Sequence, residues 1–446
     1  MPRKKVRSLL LKILGAIIFC LVSAYALFLS YGYHYDLKER DVKKTSIIDL
    51  ASGLKEVQVY LDGKWLKGLD VPYQIKDVEP GSYQLVVKKP FFLDWQRVLK
   101  VQADIVTKVS DILLVPQDLG LFQKELIRFV DNARFYFGEN LILVLRPQQN
   151  YLTIITLDDK GQIKEDEMKL TSSDIDTIDV FFGKRFVLHD VAGGLSLVRF
   201  SHGSNTPFLL PKDATHFTIS PFADTAYYLQ KGALFRVGLD QLNLASTKEN
   251  VAVKVRDQVT QFTLTESGIF ALSPAGEVSY FNNDGKELIS YSDVGGPFAN
   301  VQYVSGKSYG FLILRTANNK NVQRFVYFVS EQKKLKLITE NLKDNLIFNR
   351  LDQMMYINME GDVFAYDPRV EVKSFLGHLK PEVRLVAWFD DLHFLYQDDD
   401  LRLTDLAFSN VYSMGFAQKE ARFFVKDRAL FYLIGNELKV LDWITR

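Results

Sequence analysis

The chain is almost free of cysteine, with one thiol, Cys20, among 446 residues. A disulfide framework is thereby excluded, and so is any site built on several thiolates. An excess of one charge is missing as well: 55 Lys and Arg stand against 54 Asp and Glu. The balance shifts along the chain, since residues 1–44 hold nine Lys and Arg with three acids, whereas the rest holds 46 with 51. A slightly acidic body lacks the clustered cations that nucleic-acid binding needs, so nucleic acid is not an expected partner. Long apolar runs are also absent, apart from one near the start.

That run covers 13–33 and contains no ionisable group except Cys20 and tyrosines. Its length suits one helix across a bilayer. The residues expected in the membrane are Ile13, Leu14, Ile17, Ile18, Phe19, Leu21, Val22, Leu27, Phe28 and Leu29, which repeat with no amphipathic period, as lipid on every side requires. Five Lys and Arg, among them Arg3, Lys4, Lys5 and Arg7, precede it without an acid, while the following 36–44 carries four Lys and Arg with three acids. This bias expects the N-terminus in the cytoplasm and everything after the run on the other side of a cell membrane. Tyr31, Tyr33 and Tyr35 then fall at an outer aromatic belt or pack on the next domain. Ala24-Tyr25-Ala26 offers an alternative, a signal-peptidase site, and a buried core helix is a third reading. The expected organisation is a basic tip at 1–8, a transmembrane helix at 9–33, a stalk at 34–47, a first β domain at 48–116 and a larger β domain at 117–446.

Within 48–116 short alternating strands are broken by turn residues. Val57-Gln58-Val59-Tyr60-Leu61 is followed by Asp62-Gly63, which supplies the positive φ angles of a two-residue hairpin. Pro80-Gly81 makes a second turn before Tyr83-Gln84-Leu85-Val86-Val87, with Pro presetting φ and Gly accepting the next position. Further strands are expected over 96–101 and 107–115. These residues resemble the PEGA domain family: a strand with Asp62-Gly63-Lys64, then Pro72, then Glu79-Pro80-Gly81-Ser82-Tyr83, which reads Glu-Pro-Gly-Ser in place of Pro-Glu-Gly-Ala. The resemblance implies a small β-sandwich-like module of bacterial and archaeal surface proteins, without catalytic residues, acting as a spacer or in adhesion. Trp65, Phe91, Phe92 and Trp95 are expected to fill its small core, the alternative being a contact surface for membrane, glycan or the next domain.

From residue 131 onward an internal repeat runs to the end. Apolar strands centred near Ile142, Phe186, Tyr228, Phe270, Leu312, Tyr356, Leu395 and Phe431 are spaced by 44, 42, 42, 42, 44, 39 and 36 residues. Most are preceded by another strand and several are followed by a third, with no helical period, the signature of a propeller blade. The chain ends too soon after Asp442-Trp443 for an outer strand, so residues 122–130 are expected to supply it and close the ring. The fold class is thus all-β, with a propeller of about eight blades, or seven if the first and last repeats merge. Gly377-His378 resembles half of a WD40 signature, but Gly193-Gly194 and Gly295-Gly296 do not recur blade by blade.

No catalytic, cofactor or metal residues stand out. Gly306-Lys307-Ser308-Tyr309-Gly310 matches the nucleophile-elbow spacing but precedes a strand where the elbow needs a helix, so it is read as a hairpin turn. Asp398-Asp399-Asp400, Asn282-Asn283-Asp284-Gly285 and Asp158-Asp159-Lys160-Gly161 lie between strands and are read as turns, against calcium binding. The histidines His34, His189, His202, His216, His378 and His393 show no metal-ligand spacing, and His189-Asp190 is the most site-like pair. The function expected is a membrane-anchored, outward-facing, non-catalytic binding or scaffold protein of the cell envelope, touching the bilayer through its helix and a protein or glycan through the propeller face. The alternatives are a propeller glycoside hydrolase or lyase with axial carboxylates, and a structural part of a surface-layer or secretion assembly.

Overall fold

The computed structural model describes the backbone except at 1–2, 31–32, 37–40, 52–53, 70–71, 104, 129–133, 138–140, 147–150, 158–162, 170–177, 182–185, 192–193, 200–207, 210, 212, 221–223, 240, 242–251, 295, 307, 317–322, 344–345, 417–421, 427–428, 436 and 443–446. Side chains are also outside the described residues at 3–12, 28–30, 33–36, 41–43, 67–69, 134–137, 141, 156–157, 163–166, 168–169, 178–181, 186–191, 194–199, 208–209 and 426. Two compact units result: Met1–Phe122 with Leu403–Tyr412 and Thr445–Arg446, and Gln123–Arg402 with Ser413–Ile444.

In the first unit the apolar run lies in helix α1 (Arg3–Ser30). Along 13–27 every described side chain but Ser23 is exposed, and Phe19 reaches 73%. Arg3, Lys4, Lys5 and Arg7 belong to the same helix, while their side chains, like those of Phe28 and Leu29, lie outside the described residues. The 13–27 stretch alone is roughly 22 Å long, shorter than the ~30 Å of a hydrocarbon core. Among the described residues no helix is long and apolar enough to cross a membrane. A hairpin of β1 (Tyr33–Asp36) and β2 (Asp41–Lys44) follows, with Tyr33 opposite Lys44. Tyr33 is therefore a strand residue and not the end of the helix, and part of the stretch expected as a plain stalk has paired backbone.

The remaining strands of this unit are β3 (Ser46–Leu50), β4 (Val57–Leu61), β5 (Lys64–Leu69), β6 (Tyr73–Val78), β7 (Gly81–Lys88), β8 (Trp95–Val101) and β9 (Val106–Val109). They make two sheets, ordered β5-β4-β7-β8 and β6-β3-β9. Alternation decides which face each strand buries. Val57 and Val59 of β4, Leu85 and Val87 of β7, and Trp95 and Leu99 of β8 meet Ile48, Leu50 and Val109 from the other sheet in one core. The strand expected over 107–115 stops at Val109 and runs parallel to β3, which leaves 110–115 outside the sheets.

From Gln123 to Leu441 the described residues form eight four-stranded antiparallel sheets, seven of them made from four consecutive strands; the sheet from Arg384 to Ser413 includes residues 403–405 and 411–412 of the first unit. The residues marking the sequence repeat all fall in the second strand of a sheet, from Ile142 in Leu141–Arg146 to Phe431 in Ala429–Ile434. Such strands are sandwiched on both faces, which explains why they read as continuous apolar runs and not as alternations. Gly268–Leu272 and His393–Gln397 are buried at every position. Successive sheets share cores: Phe270, Leu272 and Tyr280 with Leu312 and Tyr327, then Phe311 and Phe328 with Tyr356 and Tyr366. Phe431, Leu433 and Leu438 of the last sheet pack on Ile142, Val144 and Ile155 of the first.

Closure comes from β10 (Gln123–Arg128), which pairs antiparallel with the final strand Glu437–Leu441, Gln123 opposite Leu441. The strand expected from 122–130 is thus in place as the fourth member of the last sheet. Leu126 and Ile127 cover the core shared by the last and first sheets. First strands of neighbouring sheets are bonded too: the Val301 and Tyr303 amides donate to Gln261 Oε1 at 3.3 Å and Thr263 Oγ1 at 3.0 Å. Face-to-face meander sheets whose last member packs on the first are a β-propeller.

Candidate functional site

Register places an exposed aromatic face on the first unit. Trp65 of β5 stands opposite Tyr60 of β4, Tyr60 opposite Val86 of β7, and Val86 opposite Gln96 of β8. Directly paired residues share a face, as do residues two apart on one strand. Gln58, Gln84, Lys88, Val98 and Lys100 therefore join Trp65 and Tyr60, opposite the buried side that holds Val59, Leu85 and Trp95. Trp65 is 58% exposed and Val98 68% exposed. Tyr60 donates to Gln58 Oε1 at 3.1 Å, and Lys88 Nζ sits 5.8 Å from the Tyr60 ring centre while pairing with Asp94 at 2.6 Å.

Of the four aromatics expected in the small core, Trp95 is fully buried and Phe92 packs against the cluster, but Trp65 and Phe91 do not. The Asp62-Gly63 hairpin sets Leu61 opposite Lys64 and Tyr60 opposite Trp65, so Trp65 shares the outer face with Tyr60, and a bulge at Leu66 shifts the register only beyond it. Phe91 is in the connection after β7 with φ 68°, a left-handed bend that leaves its ring 78% exposed.

Asp62 and Gly63 join β4 to β5 with φ of 47° and 74°, the positive pair of a two-residue hairpin turn. The Asp62 carboxylate also accepts the Gln84 amide at 2.6 Å and so ties the turn to β7. Pro80-Gly81 differs from the expected turn. Gly81 has no positive φ and opens β7, and the left-handed residue before it is Asp77 at 59°. The corner is fastened by Tyr83, whose hydroxyl donates to the Glu79 carbonyl at 2.9 Å while its ring lies over Gly81.

Arg97, on the inner face of β8, lies 3.3 Å from the carboxylate of buried Asp405 and bonds Asp111 at 2.7 Å. Asp405 further accepts the amides of Ala407 and Ser409 and the Asn410 side chain, and Asn410 Oδ1 accepts the Gln96 amide at 3.0 Å. This network organises the 403–412 part of the first unit.

In the second unit the acidic and serine candidates hold turns. The Ser308 amide donates to Asp352 Oδ2 at 3.1 Å, and Gly306 donates to the Tyr309 carbonyl, between strands Phe298–Ser305 and Gly310–Thr316. Asn282 Oδ1 accepts the amides of Asp284 and Lys286, and Arg236 reaches Asp284. Asp398 accepts the Asp400 amide and Arg402, while Asp400 accepts the Phe416 amide. His393 is buried against Asp390 at 2.8 Å; exposed His378 bonds Asp362 at 3.0 Å and thereby holds that carboxyl below its usual range. His216 has φ 51° at an irregularity between Ala214–Ile219 and its partner strand. The side chains of His34, His189, Asp190 and His202, and the run Asp158 to Gly161, lie outside the described residues. Among the described residues no three His, Cys, Asp or Glu side chains are grouped as a metal ion would need.

Solved structures similar to this chain include BamB from Moraxella catarrhalis, 11% identical over 72% of this chain and 100% of the other, with a TM-score of 0.43. The C-terminal WD40 domain of Sif2 is 9% identical over 72% and 97%, with a TM-score of 0.44. The Dos1 propeller is 12% identical over 72% and 95%, with a TM-score of 0.41. No curated protein matches the chain. The family match is confined to the first unit, where the Asp62-Gly63 hairpin, the Tyr83 corner and the two-sheet core occur together: residues 45–114 are a PEGA domain.

Proposed function

We propose that the chain is a membrane-anchored, non-catalytic binding or scaffold protein, in which the PEGA domain is a spacer and an eight-bladed ring closed by β10 is the platform for a protein or glycan partner. The observation that carries the anchor is α1, whose described apolar side chains are exposed all round, behind a tip bearing Arg3, Lys4, Lys5 and Arg7. An exposed apolar circumference is stable in hydrocarbon and costly in water. The described part is extended by Phe28 and Leu29 on one side and by 9–12 on the other in sequence, which supports a full crossing with the N-terminus cytoplasmic. The non-catalytic reading is supported by two acids offered by sequence, Asp398 and Asp400, which accept backbone amides of turns, as Asp352 does from Ser308.

Fractionation of cells making the full chain tests the anchor: the protein is expected in membranes after alkaline carbonate washing, with the propeller accessible only from the outer side to added protease. Release by carbonate would refute it. The platform is tested by crosslinking intact cells, where a reproducible partner on 123–446 is expected.

A further inference from the structure

The open face of the PEGA sheet has a composition of its own. Trp65 and Val98 project from it at 58% and 68% exposure, Tyr60 and Val86 lie between them, and its charged members are lysines, Lys100 and Lys88, the latter paired with Asp94 of the β7–β8 connection. No acid occupies an outward position of β4, β7 or β8 there, although acids and bases are nearly balanced in the chain as a whole. Amphipathic rings and long cationic side chains with apolar stems favour the headgroup layer of a bilayer, where ring and stem enter the acyl boundary and the charge stays in water. Anionic lipid adds attraction for each nearby lysine. The tether supplies the second argument. Only residues 31–45 separate the end of α1 from β3, and eight of them are taken up by β1 and β2. A face held that close to its target engages at high effective concentration even when its intrinsic affinity is weak.

We propose that the outer face of the β5-β4-β7-β8 sheet, centred on Trp65, rests on the anionic headgroup surface of the same bilayer that holds α1. The inference depends on the anchor reading above. It turns the PEGA domain from a passive spacer into a second, reversible membrane contact, one that salt and lipid charge would release without freeing the helix.

The test uses the full chain in lipid vesicles carrying a bromine-labelled acyl chain that quenches tryptophan, made from anionic or from uncharged lipid. Of the other three tryptophans Trp95 and Trp388 are buried and Trp443 lies outside the described residues, so the face is read as the emission lost on Trp65→Phe substitution, which the other three leave unchanged. The expected result is quenching of that Trp65-dependent emission on anionic vesicles at low salt. Lys100→Glu, at an exposed position, should weaken it about fivefold or more, as should high salt. Flotation of the same vesicles reads the anchor. A chain that floats while its Trp65 emission is unquenched, or equally quenched on uncharged lipid, overturns the face and leaves the anchor standing. A chain that fails to float overturns the anchor and the inference with it. Protection of Trp65 by an insoluble neutral polysaccharide, with no response to vesicles, would assign the face to glycan and also refute the proposal.

Discussion

At Asp367 the Arg369 side chain donates to both carboxylate oxygens, at 2.9 and 2.6 Å, and Gln353 adds a third bond at 3.2 Å. The Arg369 bonds hold the carboxyl at about 2, below its ordinary value. A carboxyl depressed on folding lends stability at pH above the unfolded value, about 4, and that stability fades as pH falls towards the folded one. With Arg369 44% exposed, screening limits the contribution to about 1 kcal/mol. Asp367→Asn is therefore expected to flatten the change in urea midpoint between roughly pH 4 and pH 2. An acid limb of unchanged steepness would assign the pH dependence elsewhere. Legibility at this scale follows from range. The Asp62-Gly63 turn is written in two adjacent residues because only their own φ angles are at stake. The face of Trp65 follows from the same turn, which sets it opposite outward Tyr60, whereas aromatic character alone points to the core. Arg97 could not be paired from its neighbours, since Asp405 lies some three hundred residues away.

Among the elements, β10 joins a sheet whose other strands end the chain, and Leu126 and Ile127 cover the core between last and first sheets. Ile127→Asp would set a charge against that apolar cluster, at an expected cost of about 2 kcal/mol or more. The variant should melt several degrees lower and yield earlier to protease near both 123 and 441. A change confined to the first unit would contradict the pairing. The closing strand was legible because the last repeat is one strand short, a deficit visible in spacing alone. The parallel pairing of β3 with β9 was not, since residues 51–105 separate the two strands and no local turn joins them. Second strands of the propeller sheets were plain for the opposite reason: burial on both faces makes them uninterrupted apolar runs.

For the whole molecule, the first-unit core contains no residue of α1 among the described residues. Deleting residues 1–30 should consequently leave the thermal midpoint within about 1 °C while moving the protein from membranes to the soluble fraction; a large drop in midpoint would mean that the helix is part of the fold. The propeller sheets are built mostly from neighbours in sequence, except at the seam. Gln123 and Leu441 stand near the two ends of the second unit's residues in sequence, and they meet in one strand pair. During synthesis β10 emerges early with an unpaired edge and must wait until the final strand has been made. A chaperone that shields exposed strand edges would have its natural target there, and the rate of assembly would be set by that last encounter, because closing so long a loop costs entropy before any contact rewards it.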